Sequence, residues 1–476
     1  MKKSSSVLIV TAACTMALTA CTAMAPVQES AREQDRRNDF APAVLEKTFA
    51  ALAGSAVESD RWSGMLGNAA YRVEVPKNWN GRLAVYAHGY TGTVNALAVQ
   101  TPLLRRYLIE NGYAWAASSY SKNYYDVQAG VEDTNALALA FKQIAVQNGR
   151  PLLPPTRIYA FGNSMGGHIV AAAIEAETLA TARNKVRYDG ALPMCGVLGD
   201  TELFDHFAAY QLAAQQLAGL PATSFPTSNW AAISGDVRMS LFGSTTAYVP
   251  SSPQGERLKN IVMNLTGGQR PIFDEGFTNP ALQNILWGAS FGAPGNINGI
   301  LPSDKSVIDT RRIRYQFNAP QPVVDAFNAS IVRATADADA NPLRRNGLRW
   351  VPKVHAEFAI PVLTLHTLGD MYVPFMMEQI YLQRAQAKGT SGHLVQRAIR
   401  APGHCDFTAA EQSRAFGDLV KWVEAGVKPT GDDVITPAVV AQPNYGCAFT
   451  DNTLGPDDTA TAKTWRAAGK LPACQK

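Results

Sequence analysis

The 476-residue sequence predicts an α/β protein: a mostly parallel sheet covered by helices on both faces, with a large cap inserted into it. Three observations carry that expectation. Apolar runs of strand length alternate with helix-length runs over about 70–198 and again over 359–426. The intervening block, 199–355, is turn-rich and breaks the alternation. The residues with the most reactive side chains fall just past strand-like runs, where open α/β sheets place their sites.

The elements follow in order. "AYRVEVP" (70–76) alternates with period two, and "RLAVYAHGY" (82–90) is a continuous apolar run ending in His-Gly. "TPLLRRYLIENG" reads as a helix stopped by Gly112, "YAWAASSY" (113–120) as a strand, and "VEDTNALALAFKQIAVQNG" (131–149) as a helix closed by glycine. "RIYAFG" (157–162) is a strand, "MGGHIVAAAIEA" a helix and "YDGALPMCG" (188–196) a strand. Beyond the cap, "AIPVLTLHTLGD" (359–370) and "HLVQRAI" (393–399) are strands, separated by the helix "PFMMEQIYLQRAQAKG". "AAEQSRAFGDLVKWVEAG" (409–426) is the last helix of the unit.

With 46% hydrophobic residues the chain is long enough for a large core, and its net charge of +4 is too small to argue for a nucleic acid or an anionic surface as partner. Lys2 and Lys3 precede the apolar run "VLIVTAACTMALTA" (7–20), which is too short to span a bilayer and fits a signal peptide. Leu18-Thr19-Ala20-Cys21 resembles a bacterial lipobox, which makes Cys21 the expected lipidated N-terminus. The competing site, Ala23-Met24-Ala25, is followed by Pro26, a poor context for the general signal peptidase. The organisation expected is a lipoprotein-type signal peptide (1–20), a tether and N-terminal segment (21–60), two core parts (61–198 and 356–428) flanking the cap (199–355), and a C-terminal extension (429–476).

Beyond the signal segment four cysteines remain, Cys195, Cys405, Cys447 and Cys474. An even number in an exported chain suggests two disulfides, with three pairings open. No C-x-x-C occurs and the seven histidines are scattered, so no metal site and no cofactor are expected.

The pattern G-x-S-x-G occurs twice, at Gly162-Asn163-Ser164-Met165-Gly166 and at Gly288-Ala289-Ser290-Phe291-Gly292. Ser164 lies between an apolar strand and a helix, the context a nucleophile elbow requires. Ser290 is followed by "GAPGNINGI", where no helix is expected to start. A serine hydroxyl needs a base. The loop "APGHCD" after the last strand offers His404, and "TLHTLGDMYVP" after the preceding one offers Asp370 to orient it. Met165 N–H, at the helix start, and Tyr90 N–H, after His88-Gly89, are the expected donors to a developing oxyanion. His88, His168 and His366 read as structural, and the cap aromatics Phe225, Trp230, Phe242, Phe273, Phe277, Trp287 and Phe291 as core. "LTGGQRP" (265–271) reads as a turn rather than a phosphate cradle.

The His-Gly loop, the Ser164 elbow, the Gly-Asp strand end and the Gly-His loop together resemble the α/β-hydrolase superfamily, over about 70–198 and 356–428. The chain looks most like exported bacterial esterases and the catalytic domains of prolyl-oligopeptidase-like hydrolases. The resemblance implies an α/β-hydrolase sheet and an ester hydrolase with Ser164, Asp370 and His404 as its triad. An amide or peptide hydrolase is the alternative, and a non-catalytic binding lipoprotein on the same scaffold a further one. The implied substrate is a small-molecule or polymeric ester; no nucleic-acid partner is expected, and membrane contact only through the anchor. In tannases and feruloyl esterases a cysteine before the serine pairs with one after the histidine. Here Cys405 follows His404, but Asn163 precedes Ser164. In an α/β-hydrolase sheet the histidine loop reaches back over the strand carrying Cys195. This favours Cys195–Cys405, leaving Cys447–Cys474, over pairing of Cys405 with the tail.

Overall fold

Strands β1 (Ser59–Leu66), β2 (Ala69–Pro76), β3 (Arg82–Ala87), β4 (Ala114–Ser118), β5 (Arg157–Asn163), β6 (Gly190–Met194), β7 (Val362–Thr367) and β8 (Leu394–Ile399) pair into one sheet. Their order is β1-β2-β4-β3-β5-β6-β7-β8. β2 runs antiparallel to β1 and β4, and the six strands β4-β3-β5-β6-β7-β8 are parallel. These six are buried on both faces almost throughout, which is why they read as continuous apolar runs. β1 is an edge strand in which only Trp62 is buried, and its polar residues hid it from the sequence reading.

The structure is a computed structural model, describing residues 1, 32–37, 39–42, 47–281, 283, 287, 300–345, 347–467, 471 and 474. Cys21, Ser290 and Phe291 lie outside the described residues.

Helices cover both faces of the sheet. α1 (Arg105–Glu110) and the last long helix (Ala409–Ala425) pack Leu108, Ile109, Phe416 and Leu419 onto Tyr86, Trp115, Tyr159 and Phe161. On the opposite face α2 (Val127–Gln147) and α3 (Met165–Ala173) pack onto Leu83, Val85, Ala114 and Ala116. Each such large apolar side chain contributes roughly 1.5–3 kcal/mol by leaving water. α2 starts at Val127 rather than 131, because the Asp126 carboxylate caps it by accepting from Ala129 N–H.

Between β6 and β7 the described chain is helical and contains no strand: α4 (Glu202–Leu217), α5 (Trp230–Phe242), α6 (Pro253–Leu265), α7 (Phe273–Phe277) and α8 (Gln321–Ser330). Trp287 is the hub of an aromatic core there. Its ring lies 5.5 Å from Trp230, 5.9 Å from Phe242 and 6.0 Å from Tyr248, and its Nε1–H donates to Tyr210 Oη. The two ends of this region are fastened together. Asp200 accepts from Lys353, Arg384 and Val354 N–H, while Glu175 accepts from the N–H groups of Ala356 and Glu357.

Two residues of the stretch read as tether and N-terminal segment, Arg32 and Gln34, are buried. Arg32 is buried, 3.2 Å from Asp126 and stacked 3.8 Å from the Trp350 ring, and Gln34 donates to Asn123 C=O. A buried carboxylate and an aromatic face give this guanidinium partners that a polar stretch of sequence does not reveal. The C-terminal stretch also belongs to the body: Arg466 is buried against Glu411 at 2.7 Å. Among the described residues no helix is long and apolar enough to cross a membrane.

Candidate active site

Ser164 occupies a sharp turn between β5 and α3, with φ 59° and ψ −122°. The turn is held from both sides, since Ser164 N–H donates to Met194 C=O on β6 and Ser164 C=O accepts from His168 N–H in α3. Gly166 shows why the flanking positions are small: a Cβ there would lie 2.0 Å from Ala87 C=O on β3. The backbone of α3 therefore rests directly on the sheet, and the strained serine sits at the helix N-terminus, whose free N–H groups favour negative charge.

His404 lies in the loop after β8, and Asp370 in the turn after β7. Asp370 is fully buried; one oxygen accepts from the N–H groups of Tyr372 and Val373, and the other faces His404 Nδ1 at 2.6 Å. Because that carboxylate accepts, the imidazole carries its proton on Nδ1 and leaves Nε2 to accept. Nε2 is 2.8 Å from Ser164 Oγ. The three residues drawn from three loops by sequence thus form one hydrogen-bonded chain, in the order Ser, Asp, His along the polypeptide. A strained serine elbow after a central parallel strand, with this chain above the strand ends, decides the architecture.

This chain has the α/β-hydrolase fold.

The hydrolase sheet also positions the remaining expected residues. Met165 is the first residue of α3, so its N–H has no intrahelical acceptor. Gly89 lies against Ser164; a Cβ on it would be 3.2 Å from Ser164 Cβ. Tyr90 itself is exposed. Cys405 is bonded to Cys195, just past β6, with Cα atoms 5.3 Å apart, and its sulfur lies 3.4 Å from His404 Nε2. Cys447 is bonded to Cys474. His168 is satisfied by Tyr125 Oη and Pro352 C=O, and His366 by Val373 C=O and Glu378.

Two neighbours escaped the sequence reading. The Tyr372 ring stacks on His404 with centroids 5.4 Å apart, and burial with the adjacent Asp370 pushes its phenol well up. An aromatic two residues past the acid was the available signal. Arg270, in the stretch read as a mere turn, is buried and donates to Leu368 C=O, two residues before Asp370. A separate cavity of about 690 Å³ lies between the cap and the body; Asp205, His206, Leu265 and Met376 are among its walls, and none of the three chained residues is.

No protein-family model matches the chain. It is similar to the o-phthalyl amidase of Xanthobacter agilis, 21% identical over 435 residues, which cover 79% of this chain and 90% of that protein. Among solved structures it is similar to feruloyl esterase B from Aspergillus oryzae, with 15% identity, a TM-score of 0.40, and 79% of this chain and 82% of that one covered. It is also similar to the acylaminoacyl peptidase of Pyrococcus horikoshii, with 8% identity, a TM-score of 0.38, and coverage of 80% and 44%. A third is the rice cell wall degrading esterase LipA from Xanthomonas oryzae, with 15% identity, a TM-score of 0.37, and coverage of 77% and 89%.

Proposed function

We propose that the chain is an exported serine hydrolase that cleaves carboxylic esters through an acyl-enzyme. The observation carrying this reading is the unbroken hydrogen-bonded chain from Ser164 Oγ through His404 to Asp370, at 2.8 and 2.6 Å. Ser164 attacks the acyl carbon as His404 Nε2 takes its proton. The imidazolium so formed is stabilised by Asp370 and returns the proton to the leaving alcohol. Water, deprotonated by the same nitrogen, then releases the acid and restores Ser164. The N–H groups of Met165 and Tyr90 bind the tetrahedral oxyanion, each contributing ~3 kcal/mol to the barrier reduction.

A second reading, amide hydrolysis, is favoured by the o-phthalyl amidase relative. The chemistry differs only in the leaving group, which for an amide must receive its proton from His404 before it departs. A panel pairing esters with the corresponding anilides, and including o-phthalyl monoamides, separates the two by their kcat/KM ratios. An ester enzyme leaves the anilides and monoamides essentially uncleaved, whereas an amide enzyme turns them over as well as the esters. Fluorophosphonate labelling lost in Ser164→Ala supports the mechanism, and labelling that persists refutes it. In this proposal the cap roofs the site and selects the acyl or alcohol part. Lipidation at Cys21 tethers the enzyme at the cell envelope; a mature protein that stays soluble and begins at Pro26 rules the anchor out.

A further inference from the structure

Arg270 belongs to the cap, in the link between α6 and α7, yet its side chain is buried against the body. Its Nε–H donates to Leu368 C=O at 2.7 Å, two residues before Asp370. One terminal nitrogen donates to Gly268 C=O at 2.9 Å and the other to Thr266 Oγ1 at 3.1 Å. All three partners are neutral. Among the described residues, the acid acting on Arg270 through space is Asp370, which offsets part of the burial that pushes the guanidinium down to about 9. A guanidinium does not give up its proton in a protein, so Arg270 is charged at neutral pH.

The surroundings fix this cation in place. Met376 N–H, just past the acid turn, donates to Thr266 C=O. On the other side of Arg270 the cap backbone touches the turn itself: a Cβ on Gly276 would lie 1.8 Å from Gly369 C=O, and one on Gly369 would lie 2.8 Å from Ile272 C=O. Cap residues 266–276 and body residues 368–376 are thus in backbone contact, with the guanidinium between them. The Arg270 plane also lies 5.0 Å from the Phe273 ring centroid.

We propose that Arg270 is a positioning residue for the catalytic acid. It grips the Leu368–Asp370 turn by a carbonyl of that turn, and its charge acts on Asp370 through space. The proposal rests on the triad reading above. A cation near Asp370 tempers the pull of the carboxylate on the imidazolium, and its bond to Leu368 C=O holds in place the turn that carries the acid. The cap then enters the reaction through the electrostatics of the relay as well as through any wall it gives the substrate.

The other charged and titratable groups here stay unchanged in the variants. His206 on α4 faces Arg270 and is kept neutral by burial; His366 on β7, paired with Glu378 of the following helix, and Tyr372 face Asp370. The test is the pH dependence of kcat/KM in Arg270→Met and Arg270→Lys, on an ester the wild type turns over. Without the cation the imidazolium is more favourable, so in Arg270→Met the acidic limb moves to higher pH by about half a unit or more. Its kcat falls on the order of 10-fold with KM little changed. Arg270→Lys keeps the charge and loses the fork; its limb stays with the wild type while kcat still falls. A folded Arg270→Met with the wild-type limb overturns the proposal, as does a Lys variant whose limb moves as far as that of Met. If Arg270→Met does not fold, Arg270→Gln, which keeps a donor for Leu368 C=O without the charge, is read by the same criterion. Ser164→Ala separates the two failures: persistent fluorophosphonate labelling removes the triad reading, whereas lost labelling beside an unmoved limb removes only the role of Arg270.

Discussion

At Gly166 a side chain has no room, and at Gly235 it has open space. The first residue lies where α3 crosses the sheet, the second on α5 of the cap. The difference runs through the molecule. Around Ser164, backbone rests on backbone, so residue types are dictated atom by atom. In the cap, stability comes from large side chains such as Trp230, Phe242, Tyr248 and Trp287 packing on one another. Such cores tolerate exchange of one shape for another. One region has its residue types fixed by backbone contact, and the other has room to exchange them.

The largest effect comes from the fixed region. Ser164→Ala should lower turnover by about 10⁴–10⁶-fold and abolish phosphonate labelling, while Ser290→Ala leaves both intact. Next is the glycine pair itself. Gly166→Ala forces a Cβ into the Ala87 carbonyl and should cost on the order of 4 kcal/mol or prevent folding. Gly235→Ala should stabilise by about 0.5–1 kcal/mol, being a helical glycine with free space. Equal effects in thermal melts would erase the contrast.

The disulfide beside His404 sharpens it further. Replacing Cys195 and Cys405 together by serine frees the histidine loop, and kcat should fall by about 10²-fold while the far-ultraviolet circular dichroism is retained. In the cap, Phe242→Ala should cost about 3–5 kcal/mol of local stability and reorder the ester preferences, with the phosphonate reaction rate of Ser164 unchanged. A parallel loss of both would make the cap structural only.

The smallest effect depends on pH. Burial, reinforced by Glu202 and Asp309, raises the Asp205 carboxyl to about 8 although Asp309 N–H donates to it. A carboxyl raised on folding binds more protons folded than unfolded between about pH 4 and 8, so stability is lost as pH rises through that window. Asp205→Asn removes the loss. Its melting temperature should match the wild type near pH 5 and exceed it by about 2–4 °C near pH 8.5; a pH-independent difference would contradict the assignment.

Legibility followed the same division. Ser164, Asp370 and His404 were readable because parallel strands announce themselves as apolar runs and each residue falls just past one. The sharp elbow likewise leaves its mark as glycines. The cap helices were hidden by the turn-rich stretches between them, although Ser252 caps α6 by accepting from Gly255 N–H. β1 was hidden by its polar edge. Arg270 and Arg32 were hidden by burial itself, since a guanidinium in a polar stretch looks solvated until its distant partners are known.

The Cys195–Cys405 bond joins residues 210 apart in sequence, and the entire cap lies within the span it closes. A protease that cuts the cap once therefore produces no separate pieces. The fragment bearing Ser164 and the fragment bearing Asp370 and His404 remain one covalent molecule, with the histidine loop still fastened beside β6. On a gel the nick is visible only after reduction. The part of the chain whose core best tolerates exchange is thus also the part whose breakage separates nothing.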